Sequence, residues 1–306
     1  MQEILSINNL YVKYDKNCRE NVLKDLSMTI NDREIIGLIG ESGCGKSTTA
    51  KAIMGLLKYS GDIKIYGKNI DSITRKERAR EVEMIFQNPY NSLDPRMKVK
   101  NILMEPFKIH HLYSPDERNS KVKRILNVIG FDEKILSRHV NELSGGQRQR
   151  VAIGAALILE PKLIIADEIL SALDVSVQAS IANLIIELKQ KLGISFIFIS
   201  HDINMVAYLC DRIAVMYCGQ IVENGNAMDI YNNPLHPYTK NLLNSIASPY
   251  KKNNISVVTK KNNYSECKCA YSMSCPYFCE KCLNEKIDWC KFENGHNVLC
   301  NYYKED

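Results

Sequence analysis

The spacing of hydrophobic and polar positions changes near residue 35. Residues 3 to 36 alternate apolar and polar positions in short runs broken by turn formers, which predicts a group of antiparallel strands. From about Ile35 to Gln220, short apolar runs alternate with stretches of helical periodicity. That order is typical of a mainly parallel sheet covered by helices, so the fold class indicated is α/β.

A glycine-rich stretch follows the first apolar run of the α/β part. Residues 34–39 predict a buried strand, residues 49–54 predict a helix, and Gly40–Ser47 between them matches G-x-x-x-x-G-K-[ST]. Glycines allow successive backbone N–H groups to point at phosphate oxygens, and the helix start adds the positive end of its dipole. Lys46 can reach the β- and γ-phosphates, and the Ser47 hydroxyl can ligate Mg²⁺. The residues predicted to hold the nucleotide are Gly40, Glu41, Ser42, Gly43, Cys44, Gly45, Lys46, Ser47 and Thr48.

Two acids stand in tandem at the end of another apolar run. Residues 163–166 predict a strand buried on both faces, and Asp167 and Glu168 follow it, where ligands of open parallel sheets gather. We expect Asp167 to hold Mg²⁺ through its water shell and Glu168 to orient and deprotonate an attacking water. Acids also favour helix starts, so a simple helix cap is the alternative. The upstream phosphate-binding pattern favours the catalytic interpretation.

A second glycine-containing stretch lies between these two motifs. Residues 143–147 read Leu-Ser-Gly-Gly-Gln and open a predicted helix, which indicates either a second anion-binding turn or a plain helix cap. The pentapeptide resembles the signature of ATP-binding cassette (ABC) proteins. The resemblance implies that the signature of one subunit covers the γ-phosphate of ATP bound by the other, in a head-to-tail dimer. Its contacting residues would be Ser144, Gly145, Gly146 and Gln147.

Four further features match the same family. Gln87 resembles the glutamine that touches Mg²⁺ and the attacking water, and His201 resembles the histidine that hydrogen-bonds the γ-phosphate. Residues 171–174, which end in Asp174, resemble the loop that couples the two ATP sites across the dimer. Tyr14 is the expected adenine-stacking aromatic, and an ordinary strand aromatic is the alternative.

One pair of residues departs from the family pattern. Cassette proteins commonly carry Pro-Thr after the tandem acids, whereas this chain has Ile169 and Leu170. Neither replacement removes a charge or an acceptor that hydrolysis needs. We therefore expect an active site with altered local packing.

Two other stretches narrow the resemblance. Residues 88–97 and 233–240 resemble the ATPase subunits of bacterial peptide and nickel importers, as does the cysteine-rich end with His296. The resemblance implies a heterodimer with a second, similar ATPase, two transmembrane permease subunits and an extracellular substrate-binding protein. We expect an ATPase that energises import of oligopeptides or dipeptides across the bacterial cytoplasmic membrane. Nickel or a metal–chelate complex is the alternative cargo.

The family resemblance also implies the domain organisation. It indicates a P-loop NTPase cassette with an antiparallel N-terminal β subdomain, a mainly parallel core and a helical subdomain. We place this nucleotide-binding domain at residues 1–250, with its helical subdomain at about 88–160. A polar linker and a small cysteine-rich C-terminal segment occupy residues 251–306.

The cysteine-rich segment predicts chemistry of its own. Seven of the eleven cysteines lie between Cys267 and Cys300, and reducing conditions favour a metal or cluster site over disulfides. The family pattern implies a [4Fe–4S] cluster, with Zn²⁺ and unliganded thiols as alternatives, because four thiolates also satisfy tetrahedral zinc. The cysteines that match the pattern are Cys269, Cys275, Cys282 and Cys300, while Cys267, Cys279 and Cys290 are extra. Cys44 is expected to serve packing.

Composition and charge argue against several other classes. The net charge of +5 is small against 40 basic and 35 acidic residues, so no nucleic-acid partner is expected. No apolar run in the sequence is long enough to cross a bilayer, and we expect a peripheral protein at the cytoplasmic face of the cell membrane. A soluble cassette ATPase that remodels a ribosome or DNA is the second functional alternative. The single cassette without heptads or basic extensions disfavours it.

Overall fold

The computed structural model describes residues 2–14, 20–87, 92–171, 173–247 and 269–304. Within these ranges the strands form two sheets, one of four strands and one of eight. The strands are β1 (Glu3–Val12), β2 (Leu23–Asn31), β3 (Ile35–Ile39), β4 (Tyr59–Ile65), β5 (Lys68–Asn69), β6 (Val82–Ile85), β7 (Leu163–Asp167), β8 (Ser195–Ile199), β9 (Arg212–Tyr217), β10 (Gln220–Asn226), β11 (Trp289–Lys291) and β12 (Asn297–Leu299).

Helices join most of the strands of the larger sheet and pack against it. The α-helices are α1 (Lys46–Ile53), α2 (Arg75–Glu81), α3 (Val99–Ile109), α4 (Pro115–Val128), α5 (Gly145–Leu157), α6 (Val175–Leu192), α7 (Ile203–Leu209), α8 (Ala227–Asn232), α9 (Pro237–Ala247) and α10 (Glu280–Asn284). Short 3₁₀ helices are formed by Ile70–Ser72, Glu133–Ser137, Val140–Glu142, Ser272–Ser274 and Asn301–Tyr303. In the described ranges, no helix combines the length and the apolar character that a membrane span requires.

The larger sheet carries the parallel core that the sequence predicts. Its strand order is β11-β12-β10-β9-β3-β8-β7-β6, and β3, β6, β7, β8 and β9 run parallel to their neighbours in that group. Every residue of β3, β7 and β8 is buried, as expected for strands covered on both faces. Since carboxyl ends of parallel strands meet at one edge, the residues that follow β3 and β7 come together there.

The smaller sheet is antiparallel and has the order β2-β1-β4-β5. Leu5 in β1 lies opposite Ile30 of β2 and Ile65 of β4, so the apolar faces of three strands coincide. This confirms the antiparallel N-terminal group but changes its bounds. Strands β4 and β5, which follow α1, also join the smaller sheet, since β4 pairs with β1. Tyr66 and Gly67 adopt positive φ and form the tight turn that joins β4 to β5.

The chain between β6 and β7 forms a helical layer. Helices α3, α4 and α5 contact one another, and their inward side chains are part of the main hydrophobic core. Helix α4 begins cleanly because Ser114 and Glu117 form a capping box and Pro115 occupies the first turn. The signature residues stand at the start of α5, so this layer sets their position.

The cysteine-rich segment is attached to the edge of the larger sheet. Strand β12 pairs antiparallel with β10, with Glu223 opposite Val298, and β11 pairs with β12. Residues 269–304 thus extend the larger sheet instead of forming a sheet of their own. The predicted polar linker, residues 251–263, lies outside the described residues.

Candidate active site

The glycine-rich stretch forms a tight loop between β3 and α1. Gly40 has φ +154°, and a Cβ there would lie 2.2 Å from the Met216 carbonyl oxygen, so glycine is required. The buried Lys46 ammonium donates hydrogen bonds to the carbonyl oxygens of Gly40 at 2.7 Å and Glu41 at 2.8 Å. The ammonium is therefore held against its own loop, within reach of an anion that the loop encloses.

Ser47 and Asp167 meet at the edge of the sheet. The Ser47 side chain lies beside the Asp167 carboxylate at the end of β7. Burial raises the pKa of Asp167, and the Ser47 hydroxyl and the nearby Lys46 oppose that shift. A carboxylate and a hydroxyl at this place are oxygen ligands of the kind that Mg²⁺ prefers, directly or through water.

The three residues predicted to be catalytic converge. The Gln87 side-chain amide donates to a Glu168 carboxylate oxygen at 2.7 Å. The other oxygen of Glu168 lies 3.6 Å from His201 Nδ1. The Glu168 side chain is 21% exposed and that of His201 is 63% exposed, so both can reach a solvent-borne group. This arrangement suits a general base that a donor and an imidazole hold in place.

Backbone strain marks the position of Glu168. It has φ +48°, a conformation that non-glycine residues rarely adopt. Its N–H donates to the Ile199 carbonyl at 2.9 Å, and its own carbonyl accepts from the Ser171 hydroxyl at 2.9 Å. These contacts to β8 and to the following turn hold the carboxylate at the carboxyl edge of the sheet. Such strain is characteristic of functional positions.

The signature pentapeptide forms a helix start. Ser144 accepts from the Gln147 N–H at 3.3 Å and the Gln147 amide oxygen accepts from the Ser144 N–H at 3.1 Å, a capping box at α5. A Cβ on Gly146 would lie 2.6 Å from Val177, so the glycine allows α5 to approach α6. The cap interpretation and the anion-binding interpretation are compatible, because the same helix start retains its positive dipole end.

The loop after the tandem acids leads into α6. Asp174 caps this helix by accepting from the Val177 N–H at 3.2 Å and from the Ser176 hydroxyl at 3.1 Å. Ile169 and Leu170, which replace the usual Pro-Thr, are buried in the main core. These two positions contribute aliphatic packing, while Asp174 keeps a polar contact at the helix start.

Tyr14 lies beside the phosphate loop. Its hydroxyl and the Thr48 hydroxyl are 3.0 Å apart, and its side chain is 54% exposed. The ring is thus available for stacking on a planar ligand next to α1. Residues 15–19 and 88–91, together with Ala172 and Cys267, fall outside the described ranges.

Tyr238 is a site residue that the phosphate-binding and acidic motifs did not indicate. Its side chain is buried, and its hydroxyl oxygen accepts a hydrogen bond from the Glu41 N–H at 2.9 Å. It lies within the 233–240 stretch, whose only signal in the sequence is its resemblance to importer ATPases. The contact spans 197 positions along the chain.

The four cysteines expected to bind a metal centre do not form a ready site. Burial raises the pKa of Cys275 and Cys300 to about 11 and that of Cys282 to about 12, and the charge of Cys269 adds to each shift. The thiols are therefore protonated near neutral pH. Across the described part of the chain, no three His, Cys, Asp or Glu side chains are arranged to hold one metal ion.

Cys44 has the environment of a packing residue. It is buried, and burial raises the pKa of its thiol although the Lys46 charge lowers it. Its sulfur lies 2.8 Å from the place where a Gly40 Cβ would stand. The side chain thus fills the space inside the phosphate loop.

Known proteins resemble this chain in sequence and in fold. The family model described as ABC transporter matches residues 23–171, and the model described as Oligopeptide/dipeptide transporter, C-terminal region matches residues 222–282. The oligopeptide transport ATP-binding protein AppF of Bacillus subtilis (strain 168) is 38% identical over 290 residues, which cover 91% of this chain and 88% of AppF. The oligopeptide transport ATP-binding protein OppF of the same organism is 45% identical over 240 residues, covering 76% of this chain and 79% of OppF.

A solved structure supports the same relationship. The dimeric structure of a post-hydrolysis state of the ATP-binding cassette MJ0796, bound to ADP and Pi, superposes with a TM-score of 0.65 at 27% identity. The match covers 73% of this chain and 99% of that one. With the phosphate loop, the tandem acids and the signature in place, this chain is an ATPase that belongs to the ABC transporter family, in its group of oligopeptide and dipeptide transport ATP-binding proteins.

Proposed function

We propose that this chain is the ATP-hydrolysing subunit of an importer that carries oligopeptides across the bacterial cytoplasmic membrane. The convergence of Gln87, Glu168 and His201 beside the phosphate loop supports hydrolysis. The peptide cargo is supported by AppF and OppF, whose names describe oligopeptide transport, and by the match of residues 222–282 to the C-terminal region of such transporters.

In this proposal each residue of the site has a separate task. Lys46 leaves its loop carbonyls to contact the β- and γ-phosphates, and Ser47 and Asp167 hold Mg²⁺. Glu168 accepts a proton from the attacking water while Gln87 and His201 position the water and the γ-phosphate. Positioning and charge neutralisation account for most of the catalysis in phosphoryl transfer, and these groups are positioned before nucleotide binds.

The complete transporter needs partners. We propose that ATP is enclosed between this chain and a second, similar ATPase, with residues 144–147 of each facing the nucleotide of the other. The support is the exposed Ser144 at the start of α5 and the dimeric state of MJ0796. Two transmembrane permease subunits and an extracellular substrate-binding protein complete the assembly, and the chain lies at the cytoplasmic face. Native mass spectrometry of the solubilised complex tests for two different ATPases in one particle.

Reconstitution tests the import of peptides. The chain is assembled with its permease subunits, partner ATPase and binding protein in liposomes, and uptake of labelled peptides is measured with ATP present. The Glu168→Gln variant is the matched control, since it conserves the shape of the side chain but cannot accept the proton. We expect peptide uptake with the parent chain and a large loss with the variant.

Other outcomes separate the remaining functions. Uptake of nickel or a metal chelate without peptide uptake would reassign the cargo, which the other subunits select. Recovery of the chain with ribosomes or DNA instead of membranes would contradict a transport role altogether.

We further propose that the cysteine-rich segment binds a [4Fe–4S] cluster through Cys269, Cys275, Cys282 and Cys300. The support is the match of these four cysteines to the family pattern, together with the burial of Cys282 and Cys300. A four-iron cluster takes one thiolate per iron and so suits thiols that are farther apart than the ligands of one zinc ion. Binding would release protons, since burial keeps the thiols neutral.

Anaerobic purification tests this assignment. We expect the broad visible absorbance of thiolate-to-iron charge transfer, with iron and sulfide in equal amounts. Cys275→Ser should abolish the colour, and Cys290→Ser, which changes an extra thiol, should retain it. A colourless protein with stoichiometric zinc would show that the segment binds Zn²⁺ instead of a cluster. A metal-free protein would show that the thiols are unliganded.

A further inference from the structure

The start of α9 lies between the phosphate loop and the cysteine-rich segment. It carries His236, Pro237, Tyr238, Thr239 and Lys240, the part of the chain that resembled importer ATPases without an assigned task. Tyr238 contacts the phosphate loop, and Lys240 contacts the cysteine-rich segment. One helical turn therefore touches both regions.

The first two residues hold this turn in place. The His236 N–H donates to the buried Glu223 carboxylate at 3.0 Å, and His236 Nδ1 accepts from the Tyr238 N–H at 3.1 Å. Burial lowers the pKa of His236 to about 4, so the ring is neutral near pH 7 and Nδ1 has a free lone pair. The histidine ring thus caps α9, and Pro237 fits the first helical position, which needs no N–H donor.

Tyr238 fixes one residue of the phosphate loop. Its side chain is 1% exposed, and its hydroxyl oxygen accepts from the Glu41 N–H at 2.9 Å. The carbonyl of the same Glu41 accepts from the Lys46 ammonium at 2.8 Å. Tyr238 thus holds the N–H of Glu41 and Lys46 holds its carbonyl, so both backbone polar groups of this loop residue are fixed.

Side chains of the cysteine-rich segment pack against the other side of Tyr238. The Tyr271 ring centroid lies 5.6 Å from that of Tyr238 and 5.2 Å from that of Tyr217, and the Tyr217 and Tyr238 centroids are 4.5 Å apart. The Lys240 ammonium donates to the Tyr303 hydroxyl at 3.1 Å and lies 5.3 Å from the Tyr277 ring centroid. The position of Tyr238 thus depends on a segment that comes from the far end of the chain.

A buried hydrogen bond fastens that segment to the sheet. His296 Nε2 lies 2.6 Å from a Glu223 oxygen, and the same carboxylate accepts from the N–H groups of Leu235 and His236. Glu223 is completely buried. One carboxylate therefore ties the cysteine-rich segment and the start of α9 to strand β10.

We propose that Tyr238 is a positioning residue of the nucleotide site and that it transmits the docking of residues 269–304 to the phosphate loop. A docked segment presses Tyr271 against Tyr238, which holds Glu41 and favours ATP binding. A loosened segment releases Tyr238 and weakens ATP binding without touching the residues of the hydrolytic step.

Tyr238→Phe tests the positioning role, because it removes the hydroxyl and keeps the ring. ATP binding to the purified full-length chain is titrated, and ATP turnover is measured in the assembled transporter. We expect the ATP dissociation constant and the KM to rise about 3- to 10-fold, the range for one lost hydrogen bond, with kcat at saturating ATP unchanged within about twofold. Tyr231→Phe is the matched control, since its hydroxyl donates to Asn204 Oδ1 at 2.9 Å away from this contact.

Two results would overturn the positioning role. An ATP dissociation constant equal to that of Tyr231→Phe would show that the hydroxyl does not support the loop. A fall in kcat at unchanged KM would place Tyr238 in the hydrolytic step instead.

A double-mutant cycle tests the transmission. Tyr271→Leu is made alone and together with Tyr238→Phe, and ATP binding is titrated below the unfolding transition of each variant. We expect Tyr271→Leu alone to weaken ATP binding several-fold. Added to Tyr238→Phe, it should weaken ATP binding little further, because both substitutions act through the contact of Tyr238 with the loop. Fully additive effects would contradict the transmission. Lys240→Met, which removes the contact to Tyr303, provides the same cycle if Tyr271→Leu does not fold.

Discussion

The nucleotide site and the cysteine-rich segment hold their reactive groups in different ways. At the nucleotide site the groups already lie close together, as shown by the 2.7 Å contact of Gln87 with Glu168 and the 3.6 Å distance from His201 Nδ1 to the same carboxylate. In the segment the thiols of Cys275, Cys282 and Cys300 have raised pKa values because of burial, and each is affected by its neighbours. The first site is preorganised, whereas the second needs proton loss before its thiols can bind a metal.

Secondary structure explains this difference. The acids at the nucleotide site stand at and just after the end of β7, a fully buried strand that lies between β8 and β6 in the eight-stranded sheet, and this fixes where their side chains start. The cysteines stand on short elements, such as the five-residue α10 and the three-residue β11. Groups on a rigid sheet edge can be aligned without ligand, while groups on short elements depend on whatever binds them.

The largest expected effect tests the preorganised site. Glu168→Gln should lower ATP turnover of the assembled transporter by about 10²- to 10⁴-fold, the usual contribution of a positioned general base, while ATP binding is retained. Turnover and a binding titration measure the two effects. Glu187→Gln, which changes an exposed glutamate paired with Lys191, should behave as the parent. Parent-level turnover in Glu168→Gln would remove Glu168 from the reaction.

Removing the His296–Glu223 hydrogen bond tests how the cysteine-rich segment is attached to the sheet. His296→Ala removes the partner 2.6 Å from the buried Glu223 oxygen, and we expect a loss of about 2 to 3 kcal/mol in the free energy of unfolding. Urea denaturation measures it. His111→Ala, which changes an exposed histidine, should cost less than about 0.5 kcal/mol. Equal losses in the two variants would show that Glu223 does not fasten the segment.

The contact between the nucleotide site and the cysteine-rich segment should become less stable at acidic pH. Burial lowers the pKa of His236 to about 4 from its usual 6.5, so the unfolded chain binds the proton more readily than the folded one. The contribution of neutral His236 to the free energy of unfolding is complete above pH 6.5 and is lost as the pH falls toward 4. Between pH 7 and pH 5 the loss amounts to about 2 kcal/mol. His236→Asn can still cap α9 but does not titrate, so its stability should fall less over this range. Parallel curves for parent and variant would contradict the assignment.

The smallest effect distinguishes the cysteine of the nucleotide site from those of the segment. Cys44→Ala should leave the ATP dissociation constant within about twofold and cost about 1 kcal/mol of stability, because the thiol is buried and neutral. Cys218→Ala, at an exposed thiol, is the control and should change neither quantity. A large loss of ATP binding in Cys44→Ala would show that Cys44 contributes more than packing.

Much of the fold and of the site could be predicted from the sequence. The order of the motifs predicted that Ser47 and Asp167 would approach, because both follow strands of one parallel sheet and such strands end at the same edge. The sequence did not indicate which sheet β4 and β5 join. Their short alternating runs resemble those of β1 and β2, and the pairing of β4 with β1 and of β5 with β4 decides their sheet.

Local pattern and spacing determined the strand and helix types, the phosphate loop and the tandem acids, because these depend on residues that are near in sequence. Tertiary structure alone decided that strands from residues 289–299 extend the sheet of the nucleotide-binding domain. It also decided that Tyr238 reaches Glu41 across 197 positions. Contacts of this kind depend on how the whole chain packs, and no local pattern of side chains encodes the partner of a distant hydroxyl group.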